Sequence, residues 1–208
     1  MFSVCSECGE YRPDQIVDPD GPYTVCPECG HRRRFRSLPL FLVGGASGCG
    51  KSAVSHALLG EFDEVVVLDS DILWRPEFDQ PDDHYREFFE TWLRMCKSIG
   101  QSGRPVLLFG CGFSVPNNIE SCVERRFFSA VHYMALTCDA GVLLRRLRNR
   151  PAWRTNSSSE YQVAQLEFNR WMREEAPLGD PPVSLIDTTR GGVLEAASSV
   201  RSWVQGRL

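Results

Sequence analysis

The segment Gly45-Ala46-Ser47-Gly48-Cys49-Gly50-Lys51-Ser52 satisfies G-x-x-x-x-G-K-[ST] at every specified position. Glycines in such a loop let the chain wrap until backbone N–H groups point at phosphate oxygens. A helix that follows adds the positive end of its dipole. Lys51 can then reach the β- and γ-phosphates, while the Ser52 hydroxyl can ligate Mg2+. The chemistry is that of nucleoside-triphosphate binding. A second group, Asp69-Ser70-Asp71, supplies two carboxylates. One can orient Mg2+ and its waters while the other accepts a proton from an attacking hydroxyl. An Asx turn plus a helix N-cap is the purely structural use of the same residues. The third group is cationic: Arg146 and Arg150 share a helical face at i, i+4 spacing, and Arg154 lies beyond Pro151. Guanidinium groups closing over a transferring phosphoryl group stabilise its spread negative charge; a solvated basic helix is the alternative.

Four cysteines form a fourth group. Cys5-Ser6-Glu7-Cys8 and Cys26-Pro27-Glu28-Cys29 stand seventeen residues apart, within the spacing of a four-thiolate zinc site. Gly9 and Gly30 follow the two pairs and allow the backbone to curl so that amides face the thiolates. Asp18-Pro19-Asp20-Gly21-Pro22 and Tyr23-Thr24-Val25 lie between them and predict a hairpin with a polar turn. A segment of fewer than about forty residues buries too little to fold unaided, so Zn2+ on Cys5, Cys8, Cys26 and Cys29 supplies the stability. The pattern resembles a zinc ribbon. His31-Arg32-Arg33-Arg34-Phe35-Arg36 is the densest positive run in the chain. Arginines on phosphates with Phe35 for stacking would suit a nucleic acid. A solvated linker or an internal docking surface fits better, because the run is short and the chain carries a net charge of −4.

Positioning these groups falls to a regular alternation from about Leu38 onward. Leu40-Phe41-Leu42-Val43 predicts a strand running into the glycine-rich loop, and 53–59 a helix leaving it. Further strands are predicted over 65–68, 105–110, 131–137 and 183–186. Helices are predicted over 85–99, 119–128, 142–148, 160–174 and 194–204. Such a rhythm gives a parallel sheet covered on both faces, with ligands at the C-terminal ends of its strands. The stripe Phe88, Trp92, Met95 reads as core, with room for one member on an acceptor pocket. Ser157-Ser158-Ser159 marks a loop. The division expected is a zinc ribbon over 1–36 and an α/β three-layer body over 37–208.

Bulk properties fit this plan. The 208 residues are 42% hydrophobic and 24% charged, ordinary for a soluble globular chain. The opening residues carry no secretory signal, and no apolar run is long enough to span a bilayer. The nine cysteines are an odd count, and the five outside the two pairs (Cys49, Cys96, Cys111, Cys122 and Cys138) are scattered through ordered elements, as in a reducing compartment, so a cytoplasmic location is expected.

No N-K-x-D motif is present to specify guanine, and the strand ending at Phe109 runs into Gly110-Cys111-Gly112 rather than an Asp-Glu pair. Residues of about 38–208 resemble the small P-loop kinases of the nucleoside, nucleoside-monophosphate, shikimate and gluconate kinase type. The likeness is carried by Gly45–Ser52, Asp69-Ser70-Asp71, Leu147-x-x-Arg150-Pro151 and Leu185-Ile186-Asp187-Thr188-Thr189. It implies a P-loop NTPase fold with ATP held by the loop. It assigns Asp71, with Asp69 second, to the acceptor or Mg2+. Arg146 and Arg150 become phosphate clamps, and Asp187 and Thr188 neighbours of the adenine.

The leading expectation is an ATP- and Mg2+-dependent phosphotransferase for a small hydroxylated acceptor, a nucleoside or nucleotide among the candidates. Trp74 and Arg75 would contact that acceptor, with a core role as the alternative for Trp74. A kinase of a nucleic-acid 5′ end and a non-catalytic nucleotide-gated module that uses the ribbon to meet a partner are the competing readings. The acidic pair and the arginines are surplus to the last.

Overall fold

The computed structural model describes residues 3–13, 15–151 and 158–208. Its larger sheet contains strands β4 (Leu40–Gly44), β5 (Val66–Asp69), β6 (Val106–Phe109), β7 (Val131–Thr137) and β8 (Val183–Asp187). They lie in the order β5-β6-β4-β7-β8, and every pairing is parallel. Parallel strands buried on both faces need continuous apolar sequence. Leu40, Phe41, Leu42 and Val43 are each 0% exposed. Successive side chains alternate between two cores. Leu40 and Leu42 join Trp92, Leu93 and Phe113 on one face, whereas Phe41 and Val43 join Leu107, Phe109 and Leu136 on the other. Each such side chain contributes about 1.5–3 kcal/mol by leaving water.

Helices complete the layers. α1 (Lys51–Leu58), α4 (Ala140–Arg148) and α6 (Val193–Gln205) cover the Phe41 face. α2 (Arg86–Gly100) and α3 (Pro116–Glu120) cover the Leu40 face, joined there by Met172 of α5 (Ser159–Glu174). In α2, Phe88, Phe89, Trp92, Leu93 and Cys96 recur at helical spacing and are all buried. The predicted strands and helices are found, with one correction. The expected helix over 119–128 is two pieces, α3 and a separate 3-10 turn at Val123–Phe127. Pro116 starts α3 early, and Glu90 of α2 accepts the Val123 N–H at 2.6 Å and the Glu124 N–H at 3.3 Å. A carboxylate remote in sequence thereby caps a new turn where the helix was expected to continue.

The N-terminal segment forms a separate antiparallel sheet of β1 (Ile16–Val17), β2 (Tyr23–Val25) and β3 (Arg32–Arg34). The predicted hairpin is β1–β2, its turn stabilised by the Asp20 N–H donating to Asp18 Oδ1. The arginine run is a strand rather than a linker. Arg32 pairs with Asp18 at 2.6 Å and lies over the Tyr23 ring. Phe35 is buried and meets Phe127 edge-on at 5.6 Å, so its ring is not available for stacking a base. No helix among the described residues is long and apolar enough to cross a membrane.

Candidate functional site

β4 delivers the glycine-rich loop to the C-terminal edge of the sheet, and α1 begins at Lys51. Gly45, Gly48 and Gly50 have positive φ of 126°, 92° and 102°. Two of them are required for different reasons. A Cβ on Gly45 would collide with the Leu136 carbonyl oxygen, whereas one on Gly50 would meet nothing and only the left-handed backbone demands glycine. Lys51 Nζ donates to the carbonyls of Gly45 at 2.7 Å and Ala46 at 3.2 Å, which holds the ammonium across the mouth of its own loop.

The loop opens on a cavity of ≈ 920 Å3. Ser47, Gly48, Gly50, Lys51 and Ser52 form one wall. Asp71 and Arg150 reach the same cavity, so an ammonium, a hydroxyl, a carboxylate and a guanidinium converge there. That donor set fits a triphosphate with a hydrated Mg2+: oxygen ligands for the hard cation, and cations with N–H groups for the phosphates.

Other expected residues go elsewhere. Asp69 Oδ1 accepts the Asp71 N–H at 3.0 Å and caps the 3-10 turn Ser70–Leu73; it does not line the cavity. The Asx-turn use thus describes Asp69, and that turn presents Asp71. Arg146 does not line the cavity either. Its guanidinium donates to Thr188 O at 2.7 Å, Thr188 Oγ1 at 3.1 Å and Gly48 O at 3.4 Å. Thr188 Oγ1 donates in turn towards Cys49 O and Thr137 O. Thr188 and Arg146 therefore bind the loop to the ends of β7 and β8 from behind. Asp187 is exposed and accepts the Thr189 N–H at 2.7 Å; the Thr189 hydroxyl first, and this N–H with it, hold its carboxyl below the usual range. Arg154 lies outside the described residues.

Several cavity residues escaped the sequence reading. Tyr161 donates to Ser47 Oγ and Gln165 Oε1 accepts the Ser47 N–H, both at 2.7 Å, so α5 grips the loop from above. Asn169 on the same helix donates to Cys138 O at 2.8 Å and accepts from the Cys138 N–H and the Cys49 thiol. The Cys49 thiol stays protonated well above its ordinary range because it lies in hydrogen-bond contact with Cys138 Sγ at 3.9 Å and is buried. Helical periodicity places 161, 165 and 169 on one face, but they look like ordinary polar surface until the partner is known.

Away from the loop the wall is aromatic. Trp74, Tyr85, Phe88 and Phe89 line it, so Trp74 is a wall residue and Phe88 is the stripe member on the pocket. Trp92 is core at 0% exposure. Arg75 is turned away, over the Phe78 ring and beside Glu77. His84 and Tyr85 both have left-handed backbone, φ 50° and 57°, where non-glycine residues are strained by about 1–3 kcal/mol each.

The cysteines meet at the other end of the chain. Sγ atoms of Cys5, Cys8, Cys26 and Cys29 all lie within 4.8 Å of one another. The Cys5–Cys29 and Cys8–Cys26 distances are 3.7 and 3.9 Å. A zinc tetrahedron with standard thiolate bonds has sulfur–sulfur edges of about 3.8 Å, so the set fits that ion. The two knuckles repeat one geometry. Gly9 N–H bonds Cys5 O at 3.0 Å and Gly30 N–H bonds Cys26 O at 2.9 Å, with φ of 76° and 72°. Backbone N–H groups of Cys8 and Glu7 donate to the Cys5 sulfur and bring its pKa down to about 6.

No protein-family model matches the chain, and no curated protein sequence does. Solved structures do match it. A sugar kinase from Janibacter sp. HTCC2649 superposes with a TM-score of 0.59 at 16% identity, over 81% of this chain and 95% of that one. A gluconokinase from Sinorhizobium meliloti 1021 gives 0.55 at 18% identity, over 84% and 99%. Shikimate kinase from Acinetobacter baumannii gives 0.50 at 18% identity, over 82% and 94%. These likenesses show that the sheet and its helices have the fold of small P-loop kinases.

Proposed function

We propose that this chain is an ATP- and Mg2+-dependent phosphotransferase acting on a small hydroxylated acceptor. The observation that carries the reading is the convergence of Lys51, Ser52, Asp71 and Arg150 on one cavity beneath the glycine-rich loop. The sugar, gluconate and shikimate kinases that share the fold support it. In this reading the loop amides of 45–50 and Lys51 hold the phosphates, and Ser52 would hold the Mg2+. The metal, when bound, offsets charge on the β- and γ-phosphates. Asp71 accepts the proton of the acceptor hydroxyl as its oxygen bonds to the γ-phosphorus and ADP leaves; Arg150 faces the charge spread over the equatorial oxygens. Asp69 and Arg146 are positioning residues, one for the Asp71 turn and the other for the loop. Exposed Asp187 borders the adenine, and buried Thr188 holds the strand end that presents it. Residues 1–36 form a zinc-held module beside the 37–208 body.

The test is ADP release by zinc-loaded protein with ATP–Mg2+, against nucleosides, nucleoside monophosphates, small alcohols and 5′-hydroxyl oligonucleotides. An acceptor that stimulates release is expected, with a loss of about 100- to 1000-fold in Lys51→Ala. Full activity in that variant, or ATP binding that no acceptor turns into ADP, would overturn the reading.

A further inference from the structure

The cavity changes character with distance from the phosphate loop. Trp74 and Tyr85 present 47% and 36% of their surface, although each packs against other rings. Trp74 meets Phe88 at 5.2 Å and 85°, and Phe89 meets Phe113 at 4.9 Å and 83°. Phe113 is wholly buried, so this is an open aromatic face with a rigid backing. The left-handed pair His84 and Tyr85 opens α2 and sets Tyr85 on that wall rather than continuing the helix backwards.

Charge on the cavity is segregated. Among the described lining residues the cations are Lys51 and Arg150. Lys51 belongs to the loop, and Arg150 follows α4, whose Leu143 and Leu147 pack beneath Gly48. The aromatic part carries a carboxylate instead, Asp79, close enough to Tyr85 to help burial hold its phenol above the ordinary value. Two other described cations close to it in sequence are engaged elsewhere. Arg75 lies over Phe78, and Arg86 donates to Ser121 O at 2.9 Å beside Glu90. A carboxylate or phosphate seated against Trp74 would therefore lose water beside the like charge of Asp79. A flat ring there gains contact area and stacking.

Resting on the phosphotransferase reading above, we infer that the acceptor is an uncharged or cationic alcohol bearing an aromatic ring, of nucleoside type. Hydroxy acids and monophosphates are excluded from the site. The sugar-acid chemistry in the names of two structural neighbours thus does not extend to this pocket.

The experiment is calorimetric titration of the full zinc-loaded chain, in a non-hydrolysable ATP analogue with Mg2+, by thymidine, adenosine, thymidine monophosphate, gluconate and shikimate. A nucleoside is expected to bind at least about tenfold more tightly than any of the three anions. Trp74→Ala should weaken that binding about tenfold, Trp74→Phe should retain most of it, and affinity for the ATP analogue should not move. Asp79→Asn should narrow the gap between thymidine and its monophosphate. The inference falls if an anion binds as tightly as the nucleosides, if neither nucleoside binds at millimolar concentration, or if Trp74→Ala is silent. ADP release measured in parallel separates the two claims. Nucleoside binding without release defeats the phosphotransferase reading and leaves the acceptor class standing; gluconate-stimulated release does the reverse.

Discussion

In the N-terminal sheet the strands are two or three residues long, and among the described residues of its segment the buried apolar ones are Cys5, Cys26 and Phe35. In the sheet that carries the phosphate loop, four consecutive residues of β4 are 0% exposed and two cores flank it. Both regions hold a constellation in place, one of sulfurs and one of the polar groups that converge on the cavity. The first has little apolar burial to fix its geometry, so in the proposed zinc-held module the four cysteines are both the site and the scaffold. The second inherits its geometry from packing that exists whether or not anything binds.

Metal removal separates them most widely. Chelation, or Cys26→Ser, should unfold the N-terminal sheet by withdrawing about 10 kcal/mol of metal-linked folding free energy, while β4–β8 stay folded. Hydrogen exchange reads both at once: amides of 16–34 should lose protection and those of the larger sheet keep it. Simultaneous loss in both would mean a single cooperative unit. The seam between the regions gives a smaller effect. Arg36 and Gln101 exchange two hydrogen bonds, of 2.9 and 3.0 Å. Beneath them Lys97 Nζ lies 2.6 Å from Glu124 and 4.3 Å from the Phe127 ring that meets Phe35. Lys97 and Glu124 side chains are 1% and 2% exposed, so Glu124→Ala leaves a buried ammonium without its carboxylate. Urea unfolding of the larger sheet should shift by about 3–5 kcal/mol, with zinc content unchanged. A shift under about 1 kcal/mol would show that the ion pair is solvated at the seam.

The smallest effect is confined to the larger sheet. His132 stacks on Phe41 at 5.2 Å, and burial, aided by Arg207 and Arg125, lowers its pKa from the ordinary 6.5. The unfolded chain then binds the proton more readily, so this contribution is complete above pH 6.5 and is lost as the pH falls through the lower folded value. His132→Phe should flatten that slope, a change of about 1 kcal/mol or less in denaturation midpoints compared at pH 7 and pH 5. An unchanged slope would assign the acid sensitivity to another group.

Burial on two faces made the parallel strands legible, because Leu40–Val43 and Tyr133–Leu136 are continuous apolar runs. The glycine-rich loop was legible for a different reason: its chemistry fixes residue types at fixed spacing. What escaped was decided by partners distant in the chain. The break after α3 depends on Glu90, more than thirty residues earlier. β3 is a strand because Arg32, Arg33 and Arg34 pair with Val25, Thr24 and Tyr23, and no apolar alternation announces it. Arg146 was visible as a cation near a loop, but only the position of Thr188 turns it towards the back of that loop. Asp69 and Asp71 look equivalent in sequence, and a single 3.0 Å hydrogen bond distinguishes them.

If the glycine-rich loop binds phosphates as proposed, Gln165 makes it a competitive receptor. Its Oε1 accepts the Ser47 N–H at 2.7 Å, and in the proposed role that N–H belongs to an incoming phosphate. One donor well aligned to one acceptor is not shared, so a tethered amide and a diffusing ligand contend for it. Apparent affinity then falls by the fraction of molecules in which Gln165 has let go. That penalty is the same for every ligand, and multivalent ones overcome it: a triphosphate replaces the lost bond many times over, whereas inorganic phosphate barely does. A glutamine on α5 thereby acts as a threshold against short anions.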